Sequence, residues 1–417
     1  MDTVSTFGRA ALLALVLLGG GACEPLDARE YTPAEDSITL GVIETRIPRR
    51  TGFAARLAAQ EINLAGGVLG RRVEIIVAQD RLCDADHSPE VVRGLLERGG
   101  VAIIPATCSA ATRSSLDVVA PEAANVVLVA PTSSSATLTG LPNFYRTIAN
   151  DEQQAPLLAD EVRRQGVDNA ALVHVDDIYG IGLANGFERR FTQLGGRILA
   201  RVAHPTGKTT GFTDEVQRIY AAGKPQAIVI MGFSVGAAGL SRDLAASADI
   251  SGVRFFASEA VFGPGFLTSA DATVAQGMQG LVPTAPLDDP NWLRFVASYE
   301  AATGETFDIE DAGRLQRTYD AVYLLALAMA KGGAATTEAI RDNIIAVSGT
   351  RNAVGTPVNV GEFASALELL RAGQEVNYEG ASGPLDLDEN GEPFRGTYLL
   401  WRIDGGQFVF DKALRFP

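Results

Sequence analysis

"VAIIPATCSAATRSSLDVVAPEAANVVLVAPTSSS", residues 101–135, decides the fold. An apolar run, "VAIIPA", stops at a hydroxyl-rich segment containing Cys108 and Ser109. "AATRSSLDVVAPEAA" follows with apolar residues at helical spacing. A second apolar run, "VVLVAP", then ends in Thr132, Ser133 and Ser134. Short, continuously apolar strands that alternate with helices belong to a parallel sheet covered on both faces.

The alternation continues on both sides of this stretch. Upstream lie strand "SITLGVIET", helix "GFAARLAAQEINLAGG", strand "RVEIIVAQD" and helix "SPEVVRGLLERGG". After "FYRTIANDEQQ" the pattern restarts with helix "QAPLLADEVRRQG", strand "NAALVHVDD" and helix "GLANGFERRFTQLGG". Strand "RILARVAH", helix "FTDEVQRIYAAG", strand "QAIVIMG", helix "GAAGLSRDLAASA" and strand "VRFFAS" complete a second α/β unit. Residues 290–370 read as mostly helical, and "GTYLLWRIDGGQFVFD" reads as a hairpin turning at Gly405-Gly406. A chain of 417 residues is too long for one simple core, in keeping with two units.

The net charge of −15 argues against nucleic acid as a partner, because phosphate binding needs a basic stripe. Such a charge also favours a soluble monomer. The beginning, "MDTVSTFGRAALLALVLLGGGACEP", has Arg9 before an apolar run too short to span a bilayer, then small residues leading to Cys23. This is an export-signal pattern. It is read as a lipoprotein signal with Cys23 as the lipid site; a plain signal peptide cleaved near Ala22 is the alternative. With Cys23 so assigned, Cys83 and Cys108 remain, separated by 24 residues. In an oxidising compartment they can pair, which would stabilise the fold by about 3 kcal/mol on the loop-entropy model. Two unpaired buried thiols are the other possibility.

Catalytic motifs fail one after another. "GFSVG", residues 232–236, matches a nucleophile elbow, but His87, His174 and His204 all precede Ser234, the wrong order for that fold. "PTGKTTG" lacks the first glycine of a phosphate loop, that place being Val202. "YGIGLANG" has Asn185 where a dinucleotide fingerprint needs its third glycine, and reads instead as a helix start in close backbone contact. "DLDENGE" opens like a calcium loop, but loop position twelve is Thr397 rather than glutamate, so a plain turn is preferred. No enzyme activity, cofactor or metal is expected.

What remains is a row of strand ends: Ser109, Thr132, Ser133, Ser134, Tyr179, Phe233 and Glu259. In open α/β sheets the ligand crevice lies at these ends. Helix N-termini there suit a carboxylate, hydroxyls could complete the cradle, and Glu259 suits an ammonium. Tyr179 and Phe233 could pack on the ligand. Each also has a plain structural reading, as a helix cap or a solvated charge.

In order, "AAQEINLAGGVLGRRVEIIVAQD", "CSAAT", "VAPTSSSATLTG", "FYRTIANDEQQAPLLAD", "DDIYGIGLANGF", "FTDEVQRIYAAGKPQAIVIMG" and "TYDAVYLLALAMAKGG" resemble the periplasmic leucine/isoleucine/valine-binding proteins, the type I substrate-binding proteins of ABC transporters. The resemblance runs from about Ile38 to the C-terminal hairpin. It implies two doubly wound parallel-sheet lobes joined by a three-strand hinge. Lobe 1 would take residues 38–149 and 282–384, and lobe 2 residues 150–281 and 385–417, after a signal peptide at 1–22 and a linker at 23–37. It implies a Cys83–Cys108 disulfide. It places the ligand serine at Ser109, the carboxylate loop at Thr132–Ser134, the second-lobe tyrosine at Tyr179 and the ammonium-binding acid at Glu259. Phe233 departs from a tyrosine common in amino-acid binders. The segment "ETRIPRRTGF" is short and basic, and Arg46, Arg49 and Arg50 either approach the ligand or a partner or form a solvated loop; the second is preferred. The implied function is capture of a small amino acid or related amide for delivery to an ABC permease, from a membrane-anchored position outside the cytoplasm. The alternative is a ligand-sensing module of the same fold.

Overall fold

The computed structural model describes residues 36–45, 50–81, 83–119 and 125–416. All belong to the unit Pro33–Pro417. Cys23, Arg46 and Arg49 lie outside the described residues.

The first half is built from strands β1 (Ile38–Thr45), β2 (Val73–Asp80), β3 (Gly100–Ala106), β4 (Val127–Ala130) and β5 (Phe144–Arg146). Between them run helices α1 (Thr51–Leu64), α2 (Ser88–Glu97) and α3 (Ser109–Val119). The strands form one parallel sheet in the order β2-β1-β3-β4-β5. Continuous burial along β1 and β4 fits a sheet covered on both faces.

The second half opens with α4 (Asp151–Arg164), β6 (Asn169–Val175), α5 (Ile178–Gln193), β7 (Arg197–His204), α6 (Thr213–Tyr220), β8 (Ala227–Met231), α7 (Ser234–Ser247) and β9 (Arg254–Ala257). Two short helices follow, α8 (Pro264–Leu267) and α9 (Ala272–Ala275), and then β10 (Gln279–Pro283). The chain returns to the first core through α10 (Pro290–Thr303), α11 (Arg314–Gly332), α12 (Thr337–Val347), β11 (Thr356–Asn359), α13 (Phe363–Arg371), β12 (Val376–Gly380) and β13 (Gly383–Pro384). It ends as the hairpin β14 (Thr397–Asp404) and β15 (Gln407–Arg415). The second sheet has the order β15-β14-β10-β9-β8-β6-β7. Its strands are parallel except for β14 and β15, which join as an antiparallel edge. The hairpin turns at Gly405-Gly406, both at positive φ, as a two-residue turn requires.

Each sheet has its own cores. One large cluster packs α1, α10, α11, α12 and α13 on the first sheet, and two others pack on the faces of the second. Helix α11 is buried all round from Leu315 to Met329, as befits a helix enclosed by other elements. Three segments pass between the sheets, at 147–150, 284–289 and 385–396. The second crossing begins after Pro283, so the lobe boundary read between 281 and 282 falls inside β10. The region read as mostly helical also holds one strand, β11, which joins β12 and β13, just beyond it, in a small sheet. Helices α4 and α5 begin earlier than their apolar periodicity indicates. Asn150 caps the Glu152 N–H (2.9 Å), and Asp177 caps those of Tyr179 (3.0 Å) and Gly180 (2.9 Å).

Candidate functional site

Ser109 is the first residue of α3, just past the end of β3, and is buried. Its Oγ accepts from the Ser135 N–H (3.1 Å). Thr132 and Ser133 both donate to the Thr107 carbonyl (2.6 and 3.1 Å), and Ser133 also shares a bond with the Thr112 hydroxyl (2.7 Å). These hydroxyls thus knit the β4 loop to the start of α3. Ser134 differs: its hydroxyl is buried with no hydrogen-bond partner among the described residues.

From the second half, Tyr179 stands in the first turn of α5, and its hydroxyl donates to Ser258 (3.0 Å). Its ring stacks on Phe233, with centroids 5.6 Å apart. Phe233, the N-cap residue of α7, also packs against the rim formed by Cys83, Cys108 and Ala111. The two cysteines are joined, with Cα atoms 5.3 Å apart. Glu259 begins a 3₁₀ turn after β9 and accepts from the Gln154 side-chain amide (2.5 Å). Close backbone approach fixes the start of α5: a Cβ on Gly180 would sit 2.2 Å from the Val175 carbonyl oxygen. This is the role read for "YGIGLANG".

The structure adds groups that strand-end reasoning misses. Asp151 heads α4, and its N–H donates to the Ser134 carbonyl (2.9 Å). Both of its carboxylate oxygens are buried without a hydrogen-bond partner among the described residues. Burial, and next the neighbouring Glu259, push its pKa well above the ordinary carboxylate range, although the charge of Arg146 pulls the other way. Glu259 is only half-buried by surface area, but the protein surrounds it. Burial raises its pKa, opposed by the hydrogen bond from Gln154 and by the charge of Arg317. The hydroxyl of Tyr398 on β14 is also buried and unpartnered. A cation placed beside these two acids would favour their ionised forms and lower both pKa values. The signal for Asp151 was the acid in "ANDEQQ" at a helix start within a crossing segment.

A second network holds the hydroxyl loop. Arg146, fully buried at the end of β5, donates to the carbonyls of Ser133 (3.3 Å) and Ser135 (3.0 Å), to Thr139 Oγ1 (2.6 Å) and, through Nε, to Glu392 (2.8 Å). Glu392, on the third crossing segment, also accepts from Thr139 (3.0 Å) and Asn150. Arg317 on α11 donates to the carbonyls of Pro131 (2.6 Å) and Pro283.

The remaining motifs have ordinary roles. Lys208 of "PTGKTTG" pairs with Glu215 (2.8 Å). Asp388 of "DLDENGE" caps its own turn at the Asn390 N–H (2.9 Å). Arg50 pairs with Asp311 (2.7 Å) rather than with any of the site residues above. Among the described residues there is no group of three or more His, Cys, Asp or Glu that could hold a metal ion, and no helix is long and apolar enough to cross a membrane.

Two α/β lobes with three crossings, and strand ends converging between them, define the two-lobe type I periplasmic binding protein fold. The chain belongs to the periplasmic binding protein family, whose model matches residues 51–407. This is a family of binding proteins, and its name locates them outside the cytoplasm. The chain is 26% identical over 410 residues to the chemotactic signal transduction system substrate-binding protein BasB of Halobacterium salinarum, covering 92% of this chain and 89% of that one. It is 25% identical to the leucine-, isoleucine-, valine-, threonine- and alanine-binding protein of Pseudomonas aeruginosa, over 84% of each chain. The isoleucine complex of the substrate-binding protein LivJ from Streptococcus pneumoniae superposes with a TM-score of 0.71 at 18% identity, over 91% of this chain and 99% of that one.

Proposed function

We propose that this chain captures a small amino acid, of branched-chain or aliphatic type, or a related amide between its lobes and hands it to an ABC permease. The observation that carries this reading is the buried, unpartnered carboxylate of Asp151 beside Glu259 and the free Ser134 hydroxyl. An ammonium group fits that site, and a carboxylate fits the opposite side, where α3 begins at Ser109. Phe233 and Tyr179 supply apolar surface for the rest of the ligand. The binding named for the Pseudomonas relative supports the same ligand class. The chemistry is capture alone, with no covalent step.

A thermal-shift screen against amino acids, amides and small carboxylates identifies the ligand; stabilisation of about 3 kcal/mol is expected at a hundred-fold excess over Kd. Calorimetry on Glu259→Ala then tests the site. Binding of a zwitterionic ligand should be lost, and unchanged affinity would remove the ammonium assignment. The second reading, a sensor of the same fold, is favoured by the likeness to a chemotactic substrate-binding protein over nearly the whole chain. Uptake of labelled ligand by cells lacking the chain separates the two: transport requires that uptake falls, and sensing leaves it intact.

A further inference from the structure

All three crossing segments line one cavity of about 30 Å³. Thr147 and its neighbours come from the first crossing, Thr284 from the second, and Arg395 and Gly396 from the third, while Pro283 of β10, Thr397 of β14, Arg317 and Ser382 close the wall. None of the residues named for the candidate ligand site lines it. The lining contains two guanidinium groups and no carboxylate.

The polar groups of the cavity are not all satisfied. Thr284 is 2% exposed, and its hydroxyl has no hydrogen-bond partner among the described residues. Arg317 is 5% exposed, and its bonds to the Pro131 and Pro283 carbonyls use Nε and Nη1, leaving Nη2 to face elsewhere. Burial lowers its pKa to about 10, so it is a cation at neutral pH. Arg395 is exposed, lies near the Phe394 ring (5.4 Å) and makes no ion pair among the described residues. Three acids, Asp320, Glu259 and Asp386, lie nearby but outside the lining, and Asp320 and Glu259 both act on Arg317. Asp320 sits behind Ser382 and accepts from the Tyr378 hydroxyl, the Ala381 N–H, and the N–H and hydroxyl of Ser382. Glu259 acts on Arg317 from the ligand side, and Asp386 interacts with Arg395.

We propose that this hinge cavity binds a small monovalent anion, of chloride to acetate size. Two guanidinium groups and an unpaired buried hydroxyl around a space without a carboxylate suit an anion. Because its walls come from every crossing segment, an anion here bridges the parts of the chain that must twist when the lobes move. The site does not depend on the identity of the solute.

The test is thermal unfolding of the full chain at constant ionic strength, with potassium chloride replacing potassium gluconate. Tm should rise saturably with chloride. Thr284→Val keeps the side-chain shape and removes the unpaired hydroxyl. It should be at least as stable as the parent in gluconate and should lose most of the chloride response. Arg395→Gln, at an exposed position, should raise the chloride midpoint about ten-fold, as expected for one lost charge-assisted hydrogen bond. A chloride response that is absent, unsaturable or the same in both variants overturns the proposal. Crystals grown in bromide give an independent reading. An anomalous peak between Thr284, Arg317 and Arg395 is expected, and a water without anomalous signal there would overturn the assignment.

Discussion

Asp151 carries the sharpest chemical consequence. Its pKa, like that of Glu259, is raised in the folded chain. The folded state therefore holds protons that the unfolded chain releases near the ordinary carboxylate pKa of about 4. Stability from this source is fully present below that pH and is lost as pH rises through the folded values. Asp151→Asn removes the loss. The empty variant should match or exceed the parent in unfolding free energy at pH 7, by about 1 kcal/mol, and fall less between pH 5 and 7. A ligand ammonium pairs with the ionised acids, so its affinity should strengthen over the same pH interval in the parent and not in the variant. Stability curves for the two proteins that run parallel from pH 5 to 7 would sink this account. Glu259 and Ser134 were legible as side chains because they follow apolar strands. Asp151 showed only as an acid at a helix start, and Gln154 and Tyr398 not at all, since the contact of α4 and β14 with the site depends on how the halves meet.

At the scale of elements, the β4 loop is held by a partner far away in sequence. Arg146 links that loop to Glu392, 246 residues away in sequence, and both are buried. Arg146→Met leaves a buried glutamate without its cation and should destabilise the protein by about 3–5 kcal/mol in denaturant unfolding. Adding Glu392→Leu should recover part of that loss, because no unpaired charge remains. If the double variant is no better than the single one, the pair is not what Arg146 contributes. Local pattern made most strands and helices readable: the runs "RILARVAH" and "GTYLLWRID" became β7 and β14 almost to the residue. Helix starts at Asp151 and Ile178 were read late because side-chain caps at Asn150 and Asp177, not apolar periodicity, set them. Strands such as β5 and β13, of three and two residues, carry too little sequence for any periodicity to show.

Anchoring and closure concern the chain in its entirety. If Cys23 carries lipid, Cys23→Ser should move the chain from the membrane to the soluble fraction of the cell envelope; an unchanged distribution would exclude that anchor. Closure has a direct structural handle. The Ser135 hydroxyl, on the loop after β4, donates to the Ile178 carbonyl at the start of α5 (2.9 Å), joining one lobe to the other. The same loop receives Ser109 and Arg146, so the contact links the ligand cradle to the opposite lobe. A bond made only when the lobes meet stabilises the closed state and leaves the encounter with ligand unaffected. Removing it should therefore act on release. Ser135→Ala should raise the ligand off-rate about five-fold, the effect of one hydrogen bond of roughly 1 kcal/mol, with little change in on-rate. Ser135 also caps the short turn at Ala136–Leu138. Loss of that cap alone would lower thermal stability without changing release, so stopped-flow kinetics separate the two roles. An off-rate equal to the parent's, with Tm reduced, would assign Ser135 to the turn and not to closure.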